Sequence, residues 1–348
     1  MIEYLENVIE KALSLGAHDV HLKTAFPPVV RVANTIRRLD IAAPSPKELE
    51  KVVMEILDEK RMAQFKAKGQ IDCSFEIKDK CRVRANLFFQ RNALAISLRL
   101  VPQKIPELDK LGFSTELIEM IMKVNRGMIL VTGATNSGKS TTVAGVVHLL
   151  AQREPLHIIT IEDPIEYSFT NYPSSIVSQR QVGEDTPTFQ AGLSSALRED
   201  PDVILIGELR DQETVETCLK AAETGHLVLG TLHTSNAVQS ILRLINIFPS
   251  HARDNVRFML SSCLKIIISQ ILLPSIDQKG RVLAYEVLPM LASVCNLVRT
   301  KKIHEVGAML RLGRRAGCVP MFSTIEALLK AGKIRAADIP IEYREDKK

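Results

Sequence analysis

Tryptophan is absent from the chain, and tyrosine occurs only five times in 348 residues. A surface that stacks successive bases needs aromatic rings, so this composition speaks against a single-stranded nucleic-acid platform. The net charge is only +5, and Arg37-Arg38, Lys301-Lys302 and Arg311 with Arg314-Arg315 are scattered rather than gathered into one tract. Solvated faces, or phosphate contacts within an assembly, account for such clusters better than direct nucleic-acid binding. The six cysteines, at 73, 81, 218, 263, 295 and 318, include no Cys-x-x-Cys pair. That excludes a paired-cysteine zinc site and a disulfide framework, and predicts reduced, mostly buried thiols of a cytoplasmic protein. A long greasy run is missing as well. The most apolar stretch, Leu260 to Leu273, is broken by Ser261-Ser262, Lys265, Ser269 and Gln270 and is too short to span a bilayer. The opening residues Met1 to Glu6 carry neither a basic segment nor a signal-type apolar stretch, so membrane association is expected only through partners. Low-complexity segments and internal repeats are lacking too. With 46% apolar and 24% charged residues, the chain has an ordinary globular composition and the length for two domains with their own cores.

What stands out against this background is Gly133-Ala134-Thr135-Asn136-Ser137-Gly138-Lys139-Ser140-Thr141, a phosphate-binding loop of the form Gly-x-x-x-x-Gly-Lys-Ser. The apolar run Met128 to Val131 before it reads as a buried strand, and Thr141 to Leu150 after it reads as a helix. Strand, loop and helix start are what the mechanism needs: successive backbone N–H groups wrap a phosphate at the positive end of a helix. Lys139 is placed to reach the β- and γ-phosphates of ATP, and the Ser140 hydroxyl to ligate Mg²⁺. Gly133 and Gly138 allow the tight path. Asn136 stands where such loops often carry another glycine, and asparagine tolerates the left-handed conformation needed there.

Along the first hundred residues, Leu5, Val8, Ile9 and Ala12 recur at helical spacing until Gly16. Short strands are expected at Val20 to Lys23 and Val29 to Val32, with Phe26-Pro27-Pro28 as the turn between them. Ser45-Pro46-Lys47-Glu48 is a capping box opening a helix that buries Leu49, Val52, Val53, Ile56 and Leu57. Strands follow at Cys73 to Ile77, Cys81 to Phe89 and Leu94 to Leu100, so residues 1–100 read as a small α+β domain. A proline-bracketed linker, Val101 to Pro106 within 101–110, is stiff but able to pivot at its ends. From 111 to 348, apolar strand runs alternate with helical patterns, which predicts an α/β domain with a mainly parallel sheet. Its further strands are Ile158 to Ile161, Val203 to Ile206 and Leu227 to Thr231. Thr186-Pro187 is expected to start a helix with Phe189, Leu193, Ala196 and Leu197 inward, and Asp211 to cap one burying Val215, Cys218, Leu219 and Ala222. The last third is mostly helical, with a hairpin around Pro274 to Glu286.

In open parallel sheets the residues after each strand converge on one site. Glu162-Asp163-Pro164-Ile165-Glu166, Gly207-Glu208 and His233 hold those positions. Nucleotide hydrolases often carry two acids where Gly207-Glu208 stands, which leaves Glu208 to bind Mg²⁺ through water or to orient the attacking water. Glu162, Asp163 and Glu166 are candidates for the second acidic contribution, each equally readable as a loop carboxylate. His233 can donate to the γ-phosphate; His226 carries no preference either way, and His148 reads as packing or surface. Phosphoryl transfer also needs positive charge on the γ-phosphate. Arg82, Arg84, Arg91 and Arg99, on the candidate strands of the first domain, could reach it across a subunit interface.

Together these residues resemble the type IV pilus retraction ATPases, within the secretion ATPase superfamily, nearly end to end. Ile161 to Tyr167 looks like the family's aspartate box, Gln179 to Gly183 followed by Leu197 to Asp211 like its Walker B region, and Thr224 to Thr234 like its histidine box. Gly16-Ala17-His18-Asp19-Val20-His21-Leu22 with Pro27-Pro28 and Arg31 resembles its first domain. The resemblance implies a PAS-like first domain, a RecA-like P-loop ATPase domain, and a homo-hexameric ring with ATP bound between subunits. It implies that Lys139 and Ser140 hold phosphate and Mg²⁺, with Asp163 and Glu208 as further metal-side carboxylates. Glu208 would be the Walker B glutamate, Glu162 would assist, His233 would be the sensor, and the first-domain arginines would complete a neighbour's site. The implied partners are an inner-membrane platform protein and, through it, pilin, which places the chain at the cytoplasmic face of the inner membrane.

Three features depart from the family pattern. Asn136 and Gln181 replace the commonest glycine and glutamate, and Cys295 to Thr300 keeps only part of a motif of the retraction subgroup, lacking its acid at Thr300. The absence of an additional N-terminal domain and of paired cysteines favours retraction over extension. Short competence-pilus ATPases share both absences, so pilus assembly or competence is the alternative direction. A RecA-like nucleic-acid motor would require ATPase activity stimulated by DNA or RNA, with steep salt dependence. A nucleotide-bound regulatory scaffold would bind ATP without useful turnover.

Overall fold

Alternating and continuous apolar patterns divide the strands of this chain into two kinds, and the two kinds form separate sheets. The computed structural model describes residues 3–17, 19–32, 35–77, 80–102, 105–169, 172–277, 280–313 and 316–344; His18, Gln103-Lys104 and Arg314-Arg315, which entered the sequence reading, lie outside them. The chain falls into two units, 1–104 with 166–168, and 105–165 with 169–348.

The first unit runs α1 (Glu3–Ser14), β1 (Asp19–Lys23), β2 (Phe26–Val32), β3 (Thr35–Arg38), α2 (Pro46–Ile56), α3 (Glu59–Lys68), β4 (Gln70–Ile77), β5 (Cys81–Gln90) and β6 (Ala93–Pro102). Its strands pair antiparallel in the order β3-β2-β1-β6-β5-β4. Burial alternates along β5, with Cys81, Val83, Ala85 and Leu87 in the core alongside Leu5, Val8, Ile9 and Ala12 of α1. The capping box forms as expected: the Ser45 hydroxyl accepts from Glu48 N at 3.3 Å, and the Glu48 carboxylate accepts from Ser45 N at 2.8 Å. The expected turn at Phe26-Pro27-Pro28 lies instead at Thr24-Ala25, where Ala25 has φ 59°. The two prolines sit inside β2, where its register with β1 slips between His21 and Lys23. An irregular ladder spares prolines the N–H that a regular one demands. Helix α3 has no counterpart in the sequence reading, because Phe65 is its one buried residue and shows no period. Phe65 stacks on Phe89 instead, with ring centroids 5.1 Å apart.

The second unit runs α4 (Thr115–Met122), β7 (Gly127–Thr132), α5 (Lys139–Arg153), β8 (His157–Glu162), β9 (Ile176–Gln181), α6 (Phe189–Ala196), β10 (Val203–Ile206), α7 (Gln212–Glu223), β11 (Leu227–Leu232), α8 (Ala237–Asn246), α9 (Arg253–Cys263), β12 (Leu264–Pro274), β13 (Arg281–Pro289), α10 (Ala292–Arg299), α11 (Val306–Leu312) and α12 (Met321–Lys330). The sheet order is β13-β12-β7-β11-β10-β8-β9; neighbours are parallel except β12 and β13, which are the expected hairpin. Strands β7, β10 and β11 are buried at every position. Met128, Leu130, Ile204, Ile206 and Val228 join a cluster with Leu193, Val215, Cys218, Leu219 and Ile241 from the helices. Ile129, Val131 and Leu229 line a narrow apolar gap together with Val143 and Val146 of α5. Each such burial contributes roughly 1.5–3 kcal/mol. The greasy stretch from Leu260 is the end of α9 followed by β12, an interior strand. The sequence reading has no strand at β9, whose residues are mostly half-buried at the sheet edge. Helix α6 is capped by Thr188, two residues later than expected. Among the described residues no helix is long and apolar enough to cross a membrane. All six cysteines are free thiols and five are buried.

Candidate active site

Strand register sets the carboxyl ends of four strands of the second unit side by side. Thr132 lies opposite Leu232, and Ile206 lies opposite both Gly230 and Ile161. The residues that follow them, Gly133, His233, Gly207-Glu208 and Glu162, therefore leave the sheet at one edge, where open parallel sheets form their binding crevice.

The loop from Gly133 to Gly138 joins β7 to α5 with φ of 152° at Gly133, 64° at Asn136 and 87° at Gly138. A Cβ on Gly133 would run into the Gln270 carbonyl and the Ser137 hydroxyl, so only glycine fits. Asn136 adopts the left-handed conformation read for it. Ala134, Thr135, Asn136 and Ser140 are exposed, and Thr141 is half-buried in the first turn of α5. Lys139 is buried; its Nζ donates to Gly133 O at 2.8 Å and Ala134 O at 2.9 Å and lies 3.3 Å from His233 Nδ1. From β12, Gln270 Nε2 donates to Ser137 O at 2.7 Å, and from β13, Arg281 Nη1 donates to Asn136 O at 2.9 Å.

An ammonium only donates and a carboxylate only accepts. His233 Nδ1 must therefore accept from Lys139, and its Nε2, 3.3 Å from Glu208 Oε2, must donate. Arg210 Nη2 donates to the same Glu208 oxygen at 2.7 Å. Burial works to raise the Glu208 pKa, but the hydrogen bond from Arg210 and the nearby His233 outweigh it and hold the carboxyl below its usual range. Glu208 thus remains an anion at the edge of the crevice, linked through one imidazole to the loop lysine. The glycine before it sits in a tight place: a Cβ at Gly207 would lie 3.3 Å from both Glu162 Cα and Ile161 O, so a second acid would need the backbone there to give by a few tenths of an ångström.

The remaining candidates divide. Glu162 Oε1 accepts from Thr160 Oγ1 at 2.6 Å and Gln179 Nε2 at 3.1 Å, which ties it to the β8–β9 edge. Asp163 adds to the rise in the Arg210 pKa that Glu208 chiefly causes, so it lies within electrostatic reach of that pair. Gln181 accepts from Ile165 N at 3.3 Å, bracing the loop after Glu162 with a neutral amide. Glu166 belongs to the first unit, where it accepts from Arg84 at 3.2 Å. Arg84 and Arg99 stand directly opposite each other across β5 and β6, hence on one face, with Arg82 two residues along. Like charges so placed repel; Glu166 on Arg84 and Asp19, 2.9 Å from Arg99, offset this. Arg82 donates to Ser74 at 3.2 Å. Arg91 is not on a strand: it occupies the β5–β6 turn with φ 52°. His226 sits at the far end of the sheet, next to Leu227 opposite Gly127, with Nδ1 3.0 Å from Ala221 O. His148 is 2.7 Å from the Tyr172 hydroxyl, and burial lowers its pKa.

Three contributors escaped the sequence reading: Arg210, Gln270 and Arg281. Arg210 lies in the Walker B-like stretch, where no spacing singles it out. Ser269-Gln270 reads as a break in hydrophobicity, yet two polar residues inside an interior strand are themselves a signal that something buried needs them.

The family described as type II/IV secretion system protein matches residues 1–327. An uncharacterised protein of Escherichia coli, YggR, is 39% identical over 331 residues, covering 95% of this chain and 99% of the relative. The type IV pilus retraction ATPase PilT of Pseudomonas aeruginosa is 39% identical over 319 residues, covering 92% of each chain. A crystal structure of the pilus retraction motor PilT with bound ADP matches with a TM-score of 0.89 at 45% identity, covering 100% of this chain and 98% of that one.

Proposed function

This chain belongs to the type II/IV secretion system protein family, and from that membership we propose that it is an ATP-hydrolysing motor that powers type IV pilus retraction. The observation that carries the chemistry is the line Lys139–His233–Glu208, which links the phosphate loop to an anionic carboxylate at the ends of three neighbouring strands. In this reading the second unit is a RecA-like ATPase domain and the first a PAS-like domain; the expected linker at 101–110 begins within β6, and the second unit already starts at 105.

The loop N–H groups from Gly133 to Thr141 would receive the β-phosphate, and Lys139 would exchange its carbonyl partners for phosphate oxygens. Glu208 would orient a water in line with the γ-phosphorus and take its proton as the bond to the bridging oxygen breaks. His233, with its proton on Nε2, would register whether Lys139 is engaged by phosphate. The donor set suits Mg²⁺: hard oxygens from Ser140, Glu208 and Asp163, few in number, as an ion that keeps its waters and the phosphates prefers. Bound there, Mg²⁺ would neutralise charge on the β- and γ-phosphates. The positive charge still lacking at the γ-phosphate would come from a neighbouring subunit of a hexameric ring, through Arg82, Arg84, Arg91 or Arg99. Its partners would be an inner-membrane platform protein and, through it, pilin. Pulling direction is tested in cells whose only candidate retraction motor is this chain: pili are expected to shorten, and pili that only lengthen would reassign the chain to assembly.

A further inference from the structure

We infer that Gln270 and Arg281 are positioning residues for the phosphate loop, bracing two consecutive peptide planes from the β12–β13 hairpin. This rests on the nucleotide-binding reading of the site. A peptide unit is rigid, so fixing the carbonyl of one residue fixes the N–H of the next. Arg281 holds Asn136 O, and with it the orientation of Ser137 N–H, which itself donates to Ala134 O at 3.2 Å. Gln270 holds Ser137 O, and with it the orientation of Gly138 N–H. The carbonyl of Gln270 also closes the space beside Gly133.

The Gln270 amide has no other visible purpose in the strand. It is fully buried, and among the described residues its Oε1 meets no donor, a cost in free energy that the bond from its Nε2 to Ser137 O offsets. The brace has a firm base. Leu273 and Ala284 of the hairpin pack with Met321 and Ile325 of α12, and Tyr285 N donates to Thr324 Oγ1 at 3.1 Å. Beside the loop, Thr132 Oγ1 donates to Ser269 Oγ at 3.0 Å, tying β7 to β12 as well.

Arg281→Ala is the first test, because Arg281 is exposed and its loss leaves the core intact. In the full chain, the Kd for ADP by titration calorimetry is expected to rise about 5–10-fold, and that for AMP, which lacks the phosphate the loop holds, to change less than about twofold. The melting temperature of the nucleotide-free chain should stay unchanged, and Arg281→Lys, which can still donate, should recover part of the ADP affinity. Gln270→Leu keeps the volume without the donor and is expected to cost more than Arg281→Ala in ADP affinity. Unchanged ADP affinity in both variants, or equal losses for ADP and AMP, would overturn the inference while the parent still binds ADP. A parent chain that binds no ADP would overturn the reading beneath it, and the inference with it.

Discussion

The two sheets of this chain keep their consequential side chains in different places. In the second unit, β7, β10 and β11 are buried on both faces, so no solute can reach a face and the chemistry collects at the strand ends. In the first unit, β5 leaves one face outside the core, and Arg82, Arg84 and Arg99 share that outer surface with β6. A sheet buried on both sides commits its function to one or two residues per strand, held by rigid neighbours. On the half-open sheet the arginines share a surface with their neighbours, and repulsion between the opposed pair is offset by carboxylates.

If that contrast is right, single substitutions should act hardest at the strand ends. Glu208→Gln is expected to lower ATP hydrolysis by roughly 10²–10⁴-fold while ATP binding persists, measured by phosphate release beside equilibrium binding. Hydrolysis at the parental rate would break the comparison, because the carboxylate would then be dispensable. Lys139→Ala should remove roughly 10²–10³-fold or more of turnover and weaken nucleotide binding as well. Unaltered ADP affinity in that variant would detach the loop from the phosphate.

Stability sharpens the same contrast at smaller scale. Ile204→Ala, in a strand buried on both sides, is expected to cost about 2–5 kcal/mol in denaturant unfolding of the second unit. Ser45→Ala, which removes the hydroxyl half of the capping box, should cost about 1 kcal/mol in the first. Arg99→Ala, which removes the exposed arginine of its ion pair with Asp19, should stay within about 0.5 kcal/mol of the parent. A destabilisation there as large as that of Ile204→Ala would mean that the arginine face is structural.

The same contrast explains what could be read from the chain alone. Continuous apolar runs make β7, β8, β10 and β11 plain, and the residues after them are the candidates that the strand register gathers at one edge. Helix α3 and strand β9 were hidden because each buries too little to leave a period. The turn at Thr24-Ala25 was masked by two prolines that look like turn residues and instead occupy an irregular strand. Gly207 reads as a missing acid, and the close approach of Glu162 and Ile161 to it is visible only in the structure. Side chains that brace the loop from a distance, Gln270 and Arg281, follow the loop by 133 and 145 residues in sequence, and no local pattern connects them.

Subunit mixing tests most directly whether the crevice of one copy is completed by the open face of another. Each of Arg82→Ala, Arg84→Ala, Arg91→Ala and Arg99→Ala that is inactive alone is mixed in equal amounts with inactive Glu208→Gln chains, and ATP hydrolysis is measured. In a randomly assembled ring about a quarter of the interfaces join an intact Glu208 to an intact arginine. At least one mixture is therefore expected to recover a substantial fraction of parental activity. No recovery in any of the four, with mixed rings shown to form, would contradict a shared site.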